Sequence, residues 1–99
     1  AVLPEAEEVD VEIDPNDLHA NYTLGLLHLK NNDSQNALTS LKKAAELDPK
    51  DADVQYALGL VSYARRQTAE ARKNFEAALK LDPNHSQARD ALTALAGKP

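Results

Sequence analysis

Cysteine, methionine and tryptophan are absent from this 99-residue chain, and phenylalanine occurs once. Without cysteine there is no disulfide, no thiolate metal site and no cysteine nucleophile, and the redox compartment stays open. Aromatics are only 4 % of residues, so the apolar mass is leucine, alanine and valine, which suits closely packed helices. Three glycines and five prolines leave most of the chain free to be helical. No apolar run reaches the roughly 18–20 residues a membrane span needs. Ala1–Asp10 lacks a basic stretch followed by an apolar one, so neither a signal peptide nor a membrane anchor is expected, and localisation is left undecided. The net charge of −5 removes the basic stripe that nucleic acid or an anionic membrane would require. The basic pairs Lys42–Lys43, Arg65–Arg66 and Arg72–Lys73 sit among acidic or neutral neighbours and read as solvated helix faces. The length allows one domain at most, near the lower limit for an adequate core.

What the chain does contain is a repeat. Asp14-Pro15-Asn16, Asp48-Pro49-Lys50 and Asp82-Pro83-Asn84 recur at an offset of 34 residues, each preceded by an aliphatic residue, Ile13, Leu47 or Leu81. The same offset pairs Tyr22 with Tyr56, Leu24-Gly25-Leu26 with Leu58-Gly59-Leu60, Ala37 with Ala71 and Ala44 with Ala78. A fixed period of this length marks a repeat architecture. Within a unit, Ala20, Leu24 and Leu27 fall at i, i+4 and i+7, as do Val54, Leu58 and Val61, which predicts a first helix with these faces turned toward the second. Asn31-Asn32-Asp33 interrupts the pattern. Ala37, Leu41, Ala44 and Ala45 restart it, with Leu47 at its close. The next unit repeats this with Ala71, Phe75, Ala78 and Leu79, then Leu81. Each unit is therefore two antiparallel helices, ended by a proline that removes a donor and pushes its predecessor out of the α region. Asp17 and Asp51 are expected to cap the first helices, Ser34 and Thr68 the second ones. From about His85 to Ala96 a last amphipathic stretch has Ala88, Leu92 and Leu95 inward and Gln87, Arg89 and Thr93 outward. It would cover the apolar face of the last repeat.

These residues resemble tetratricopeptide repeats: the period, Leu24-Gly25 and Leu58-Gly59, Ala37 and Ala71, Leu41 and Phe75, Ala44 and Ala78, Pro49 and Pro83. The chain departs from that pattern at the usual first-helix aromatic, where Asn21 and Gln55 stand, and at the usual tyrosine, where His28 and Ser62 stand. The resemblance implies an all-α fold of antiparallel helix pairs stacked as a right-handed α-solenoid. The expected organisation is an acidic N-terminal segment over 1–17, repeats over 18–51 and 52–85, and a capping helix over 86–97. The small residues have their own physical reading. Gly25 and Gly59 lie where two helices of one unit pass closest, and Ala44 and Ala78 where a unit meets the next. A larger side chain there would push helices beyond their 8–10 Å spacing.

Ala1 to Asp14 does not fit the repeat, since Glu7 and Asp10 stand where core residues belong. It reads as a poorly ordered linker. The alternation of Val9, Val11 and Ile13 with acids leaves open an extended strip along the helices. Glu7-Glu8-Val9-Asp10 resembles the acidic tail by which major heat-shock chaperones dock onto some members of the family, but here it is internal. The basic and amide clamp of that subclass is missing, because Tyr22, Leu26, Ala57, Gln87 and Ala91 occupy the corresponding positions.

No catalytic set emerges. His19, His28 and His85 lack zinc-ligand spacing and suit solvated or capping roles. Asp14, Asn16 and Asp17 begin like a calcium loop that Leu18 spoils. No serine stands in a nucleophile–base arrangement, and no glycine-rich loop could cradle phosphate. No cofactor, metal or enzymatic activity is expected. The inner face of the first helices, which in this family forms the concave groove, is the informative surface. Tyr22, Leu26 and Leu29 share one stripe, and Tyr56, Leu60 and Tyr63 the matching one. Leu26 and Leu60 would serve equally well in packing between repeats, whereas tyrosine hydroxyls favour a wet rim. The expected role is a module that binds a partner peptide or helix of unspecified identity. The rival is structural, with the apolar face mediating homodimerisation or packing on another domain, because three repeats are the usual minimum for stability.

Overall fold

The computed structural model describes residues 16–97, so the segment expected to be a poorly ordered linker, Ala1–Asp14, lies outside the described residues. Five α-helices follow one another: α1 Leu18–Lys30, α2 Ser34–Leu47, α3 Ala52–Ala64, α4 Thr68–Leu81 and α5 Ser86–Ala96. No strand occurs among the described residues, and no described helix is long and apolar enough to cross a membrane. α1 packs on α2, α3 on α4, α2 on α3 and α4 on α5. α1 also touches α3, the first helix of the next pair, and contacts confined to one pair and the next are those of a helical-repeat solenoid.

The turn inside each helix pair explains where the second helix begins. Asn32 and Arg66, 34 residues apart, both adopt left-handed backbone, with φ of 63° and 64°. The amide of Asp33 donates to the His28 carbonyl and that of Gln67 to the Ser62 carbonyl, each at 2.8 Å. The amides of Asn32 and Arg66 donate to Leu29 and Tyr63 at 3.0 and 2.9 Å. This is the Schellman arrangement, with asparagine and arginine in the place glycine usually takes. Because the motif ends on Asp33 and Gln67, those residues are also the caps of α2 and α4. Ser34 and Thr68 are already inside their helices, so the expectation that they cap is corrected by one residue. Asp33 accepts from the backbone of Asn36 at 3.2 Å and from its side-chain amide at 2.7 Å. Gln67 caps nothing with its side chain.

The first helices are capped as expected. Asp17 accepts from the Ala20 amide at 3.2 Å, and Asp51 from the Asp53 and Val54 amides at 2.9 and 3.3 Å. One period beyond Asp51 stands His85, and its Nδ1 accepts from the Ala88 amide at 3.1 Å. The imidazole therefore takes over the carboxylate's role at the start of α5.

The core is built from small and branched residues. Ala37, Leu41, Ala57 and Val61 form its buried centre, with Tyr22, Leu26, Leu29, Leu38 and Leu58 packed against it. Gly25 and Gly59 lie where helices of a pair touch. A Cβ on Gly25 would fall 2.5 Å from Leu41 Cγ, and one on Gly59 2.6 Å from Phe75 Cδ1. Equivalent positions do not share equivalent surroundings, however. Val54 and Val61 are fully buried, while Leu27, the counterpart of Val61, is 51 % exposed. α2 lies against α3, but among the described residues no helix precedes α1 to cover Leu27. The assignment of Leu27 to a buried seam is corrected accordingly.

The residues that replace the family's aromatics build a polar layer instead. Ser62 Oγ donates to Asn74 Oδ1 at 3.2 Å, and Asn74 Nδ2 donates to Gln55 Oε1 at 3.5 Å. One period earlier, Asn21 donates through Nδ2 to the Asp17 carbonyl at 2.9 Å, and Ser40 is buried nearby in sequence register. Hydrogen bonding of buried amides and hydroxyls offsets the desolvation their burial costs.

Candidate functional site

The structure treats the six groove residues differently. Tyr22, Leu26 and Leu29 on α1 are half-buried and pack against the central cluster. Burial, first, and then the carboxylates of Asp53 and Asp51 push the Tyr22 phenol above its ordinary range. That hydroxyl thus lies within the field of the acids at the start of α3. Tyr56 is also half-buried. Its ring tilts against Phe75 at 5.6 Å and against His85 at 5.2 Å, so it joins α3 to both α4 and α5. Leu60 and Tyr63, on the C-terminal half of α3, are brought to an opening, and Tyr63 is 57 % exposed.

That opening is an apolar cavity of about 610 Å³ between α3, α4 and α5. Leu60, Tyr63, Thr68, Phe75, Ala91, Ala94 and Leu95 line it. Its origin can be read by moving one period back along the chain. The junction of α1, α2 and α3 has Leu26, Leu29, Leu38, Leu41, Ala57, Leu60 and Val61 at the positions occupied here by Leu60, Tyr63, Arg72, Phe75, Ala91, Ala94 and Leu95. Four of the five leucines change in the shift, two to aromatic residues and two to residues that bring less apolar filling. Leu38, which packs on the first cluster, becomes the exposed Arg72, and Leu60 becomes Ala94. Phe75 and Leu95 are larger than their counterparts but do not close the gap. The space is open to solvent on one side, and by register this junction has fewer aliphatic side chains to fill it than the first.

Sequence reasoning confined the site to an inner stripe of the first helices. It missed Phe75, Ala91, Ala94 and Leu95. The signal was present in the loss of leucine at positions 72 and 94 relative to 38 and 60. Thr68 was read only as a cap.

The N-terminal side of the surface is polar. His85 is buried, and its Nε2 lies 2.8 Å from Asp53 Oδ1. Because Nδ1 accepts a backbone N–H, Nε2 carries the proton and donates to the carboxylate. The histidine therefore ties the first turn of α5 to the first turn of α3. His28 Nδ1 stands 3.8 Å from Asp33 and belongs to the turn before α2. No side-chain group of nucleophile, base and orienter gathers at the cavity, whose walls are mostly apolar.

The "Tetratricopeptide repeat" family model matches residues 22–86 of the chain. No curated protein matches it.

Proposed function

Because the chain belongs to the tetratricopeptide repeat family, whose repeats generally mediate protein–protein interaction, we propose that it binds a partner segment whose apolar side chain enters the cavity between α3, α4 and α5. Tyr22, Leu26, Leu29 and Tyr56 would extend that contact along the groove, with Leu60 and Tyr63 at its centre. The single observation that carries the reading is Tyr63: a tyrosine more than half exposed, on the rim of an apolar cavity that a neighbouring junction fills. Such a ring offers flat apolar contact and a polar tip, the combination enriched at interaction hot spots. Along α3 the stretch from Asp53 to Tyr63 rises about 15 Å, enough for about four or five extended residues. After the entropic cost of association, micromolar affinity is expected.

Two substitutions test this. Tyr63→Ala removes the rim, and Ala94→Leu restores the side chain that stands at the matching place one period earlier. Both should abolish capture of partners from the source cell while leaving the thermal midpoint unchanged or, for Ala94→Leu, higher. Capture that survives both would place the binding surface elsewhere, most directly on the outer face of α2 and α4.

Self-association is the second reading, supported by Leu27 on α1 and Leu81 at the end of α4, the latter 40 % exposed. Both lie toward the ends of the helix stack, where copies could add head to tail. Sedimentation over a concentration series separates the two, since only self-association raises the mass with concentration.

A further inference from the structure

The groove is apolar in the middle and charged at its ends, and the charges are of opposite sign. On α3, Asp53 lies seven residues before Leu60, a rise of about 10 Å along the helix. On α5, Asp90 stands one turn before Ala94 on the same face. Asp90 is one period beyond Tyr56, so the third member of the tyrosine series is a carboxylate. Among the described residues the ion pairs are His28–Asp33 and His85–Asp53. No lysine or arginine therefore neutralises Asp51, Asp53 or Asp90. The carboxylate of Asp53 is 63 % exposed beside its histidine. Asp53 also favours the start of α3 through the helix dipole, but Asp90, in the middle of α5 and exposed, has no such role. At the other end, Arg66 shares a shallow depression with Tyr63 and Thr68.

We infer that the occupant of the cavity is an extended segment with a large apolar anchor and, about three residues to one side of it, a lysine or arginine drawn to the side of the groove that carries Asp53 and Asp90. This rests on the binding reading above and adds to it the charge and polarity of the partner. Three extended residues cover about 10 Å, the rise from Asp53 to Leu60, while Asp90 lies nearer, about 6 Å or one turn before Ala94. Arg66 beyond Tyr63 disfavours a second cation on the far side, so the charge pattern also fixes which way the segment lies.

The test uses labelled nine-residue peptides in fluorescence anisotropy, designed so that either chain direction can bind. The arginine peptides have leucine at the centre and a single arginine, three places before it in one and three places after it in the other; the glutamate peptides replace that arginine with glutamate, and the glycine peptides replace the leucine with glycine. The tighter-binding arginine peptide should bind the full chain about five- to tenfold more tightly than its glutamate counterpart at low salt. The gap should narrow in high salt, because exposed charges are screened. Asp53→Asn together with Asp90→Asn should remove most of the gap. The asparagine oxygen can still accept from His85, and Asp90→Asn alone, which disturbs no hydrogen bond of the fold, should remove part of it. Glu46→Gln with Glu76→Gln changes net charge equally on the exposed faces of α2 and α4 and should leave the gap intact. Equal binding of the arginine and glutamate peptides, an equal effect of the distant pair, or no binding by any peptide overturns the inference. Equal binding of the leucine and glycine peptides, with the charge preference kept, would instead refute the cavity as the anchor site.

Discussion

Glycine-to-alanine substitution at two equivalent positions separates a closed junction from an open one. In both cases the new methyl lands on a side chain of the paired helix: Leu41 for Gly25, Phe75 for Gly59. Both changes gain about 1 kcal/mol of helix propensity, and both cost by overpacking, typically about 1–3 kcal/mol. The difference lies behind the displaced side chain. Leu41 is fully enclosed at the centre of the core cluster, and its branching carbon cannot retreat. Phe75 is only 2 % exposed, yet it forms a wall of the 610 Å³ cavity, so its ring can move outward into free space. Gly25→Ala is thus expected to destabilise by about 1–2 kcal/mol net, and Gly59→Ala to come out near zero. The displaced ring in Gly59→Ala should also fill the cavity and weaken capture of partners. Urea denaturation gives both midpoints, and unchanged slopes would confirm that the folded and unfolded states are otherwise comparable. Equal losses for the two variants, or a larger loss at Gly59, would show that Phe75 is as confined as Leu41 and refute the account of the cavity.

Further outcomes follow from the same contacts. Tyr56→Ala should cost about 2–4 kcal/mol, since the ring holds Phe75 and His85, while Tyr63→Ala should cost less than about 1 kcal/mol; thermal melts of the two should differ clearly. His85→Asp supplies the cap residue used at Asp17 and Asp51, yet it should destabilise by about 1 kcal/mol or more, because it sets a second carboxylate beside Asp53 and discards a donor; denaturation at neutral pH checks it. Asp33 is held below the usual carboxylate range by the Asn36 side-chain amide first and the Asn36 backbone N–H second. A lowered folded value gives stability that is present above the unfolded pKa and is lost as pH falls through the folded one. Acid titration of Asp33→Ala should therefore show a shallower loss of stability below the ordinary carboxylate range than the parent does.

The fold was legible because several local signals agreed. The offset of 34, the helical spacing of Leu24, Ala37 and Leu41, and the aspartates before each first helix all demanded paired helices. The glycine seam was equally plain, since only a residue without a side chain permits the contact with Leu41 or Phe75. The caps of α2 and α4 were misplaced by one residue for a definite reason. Ser34 and Thr68 have good capping chemistry, but the turn motif set by Asn32 and Arg66 in left-handed backbone decides the register, and an arginine there gives no compositional warning. Asn21 and Gln55 stood out only as departures from the family's usual aromatic. Their role as hydrogen-bonded polar groups needed Asp17, Ser62 and Asn74 in view, which are partners that spacing alone does not pair.

The site was legible only in part, because a repeat fixes which positions correspond but not what surrounds them. Leu27 and Val61 correspond, and one is half in water while the other is sealed. The same holds for the tyrosines. Tyr22 and Tyr56 carry identical positions in successive units, yet Tyr56 has Phe75 and His85 to lean on while the counterparts available to Tyr22 are Leu41 and Asp51. Tyr63 replaces Leu29 and is more exposed than it, and Ala94, which lines the same cavity, stands where the register one period earlier has Leu60. A stripe that seems uniform in sequence is in this way graded from core at α1 to open at α3 and α5. The gradient follows from two side chains shed between one junction and the next. A protein so arranged should become more stable when the missing leucines are returned at positions 72 and 94, and less able to take up a partner in the same step.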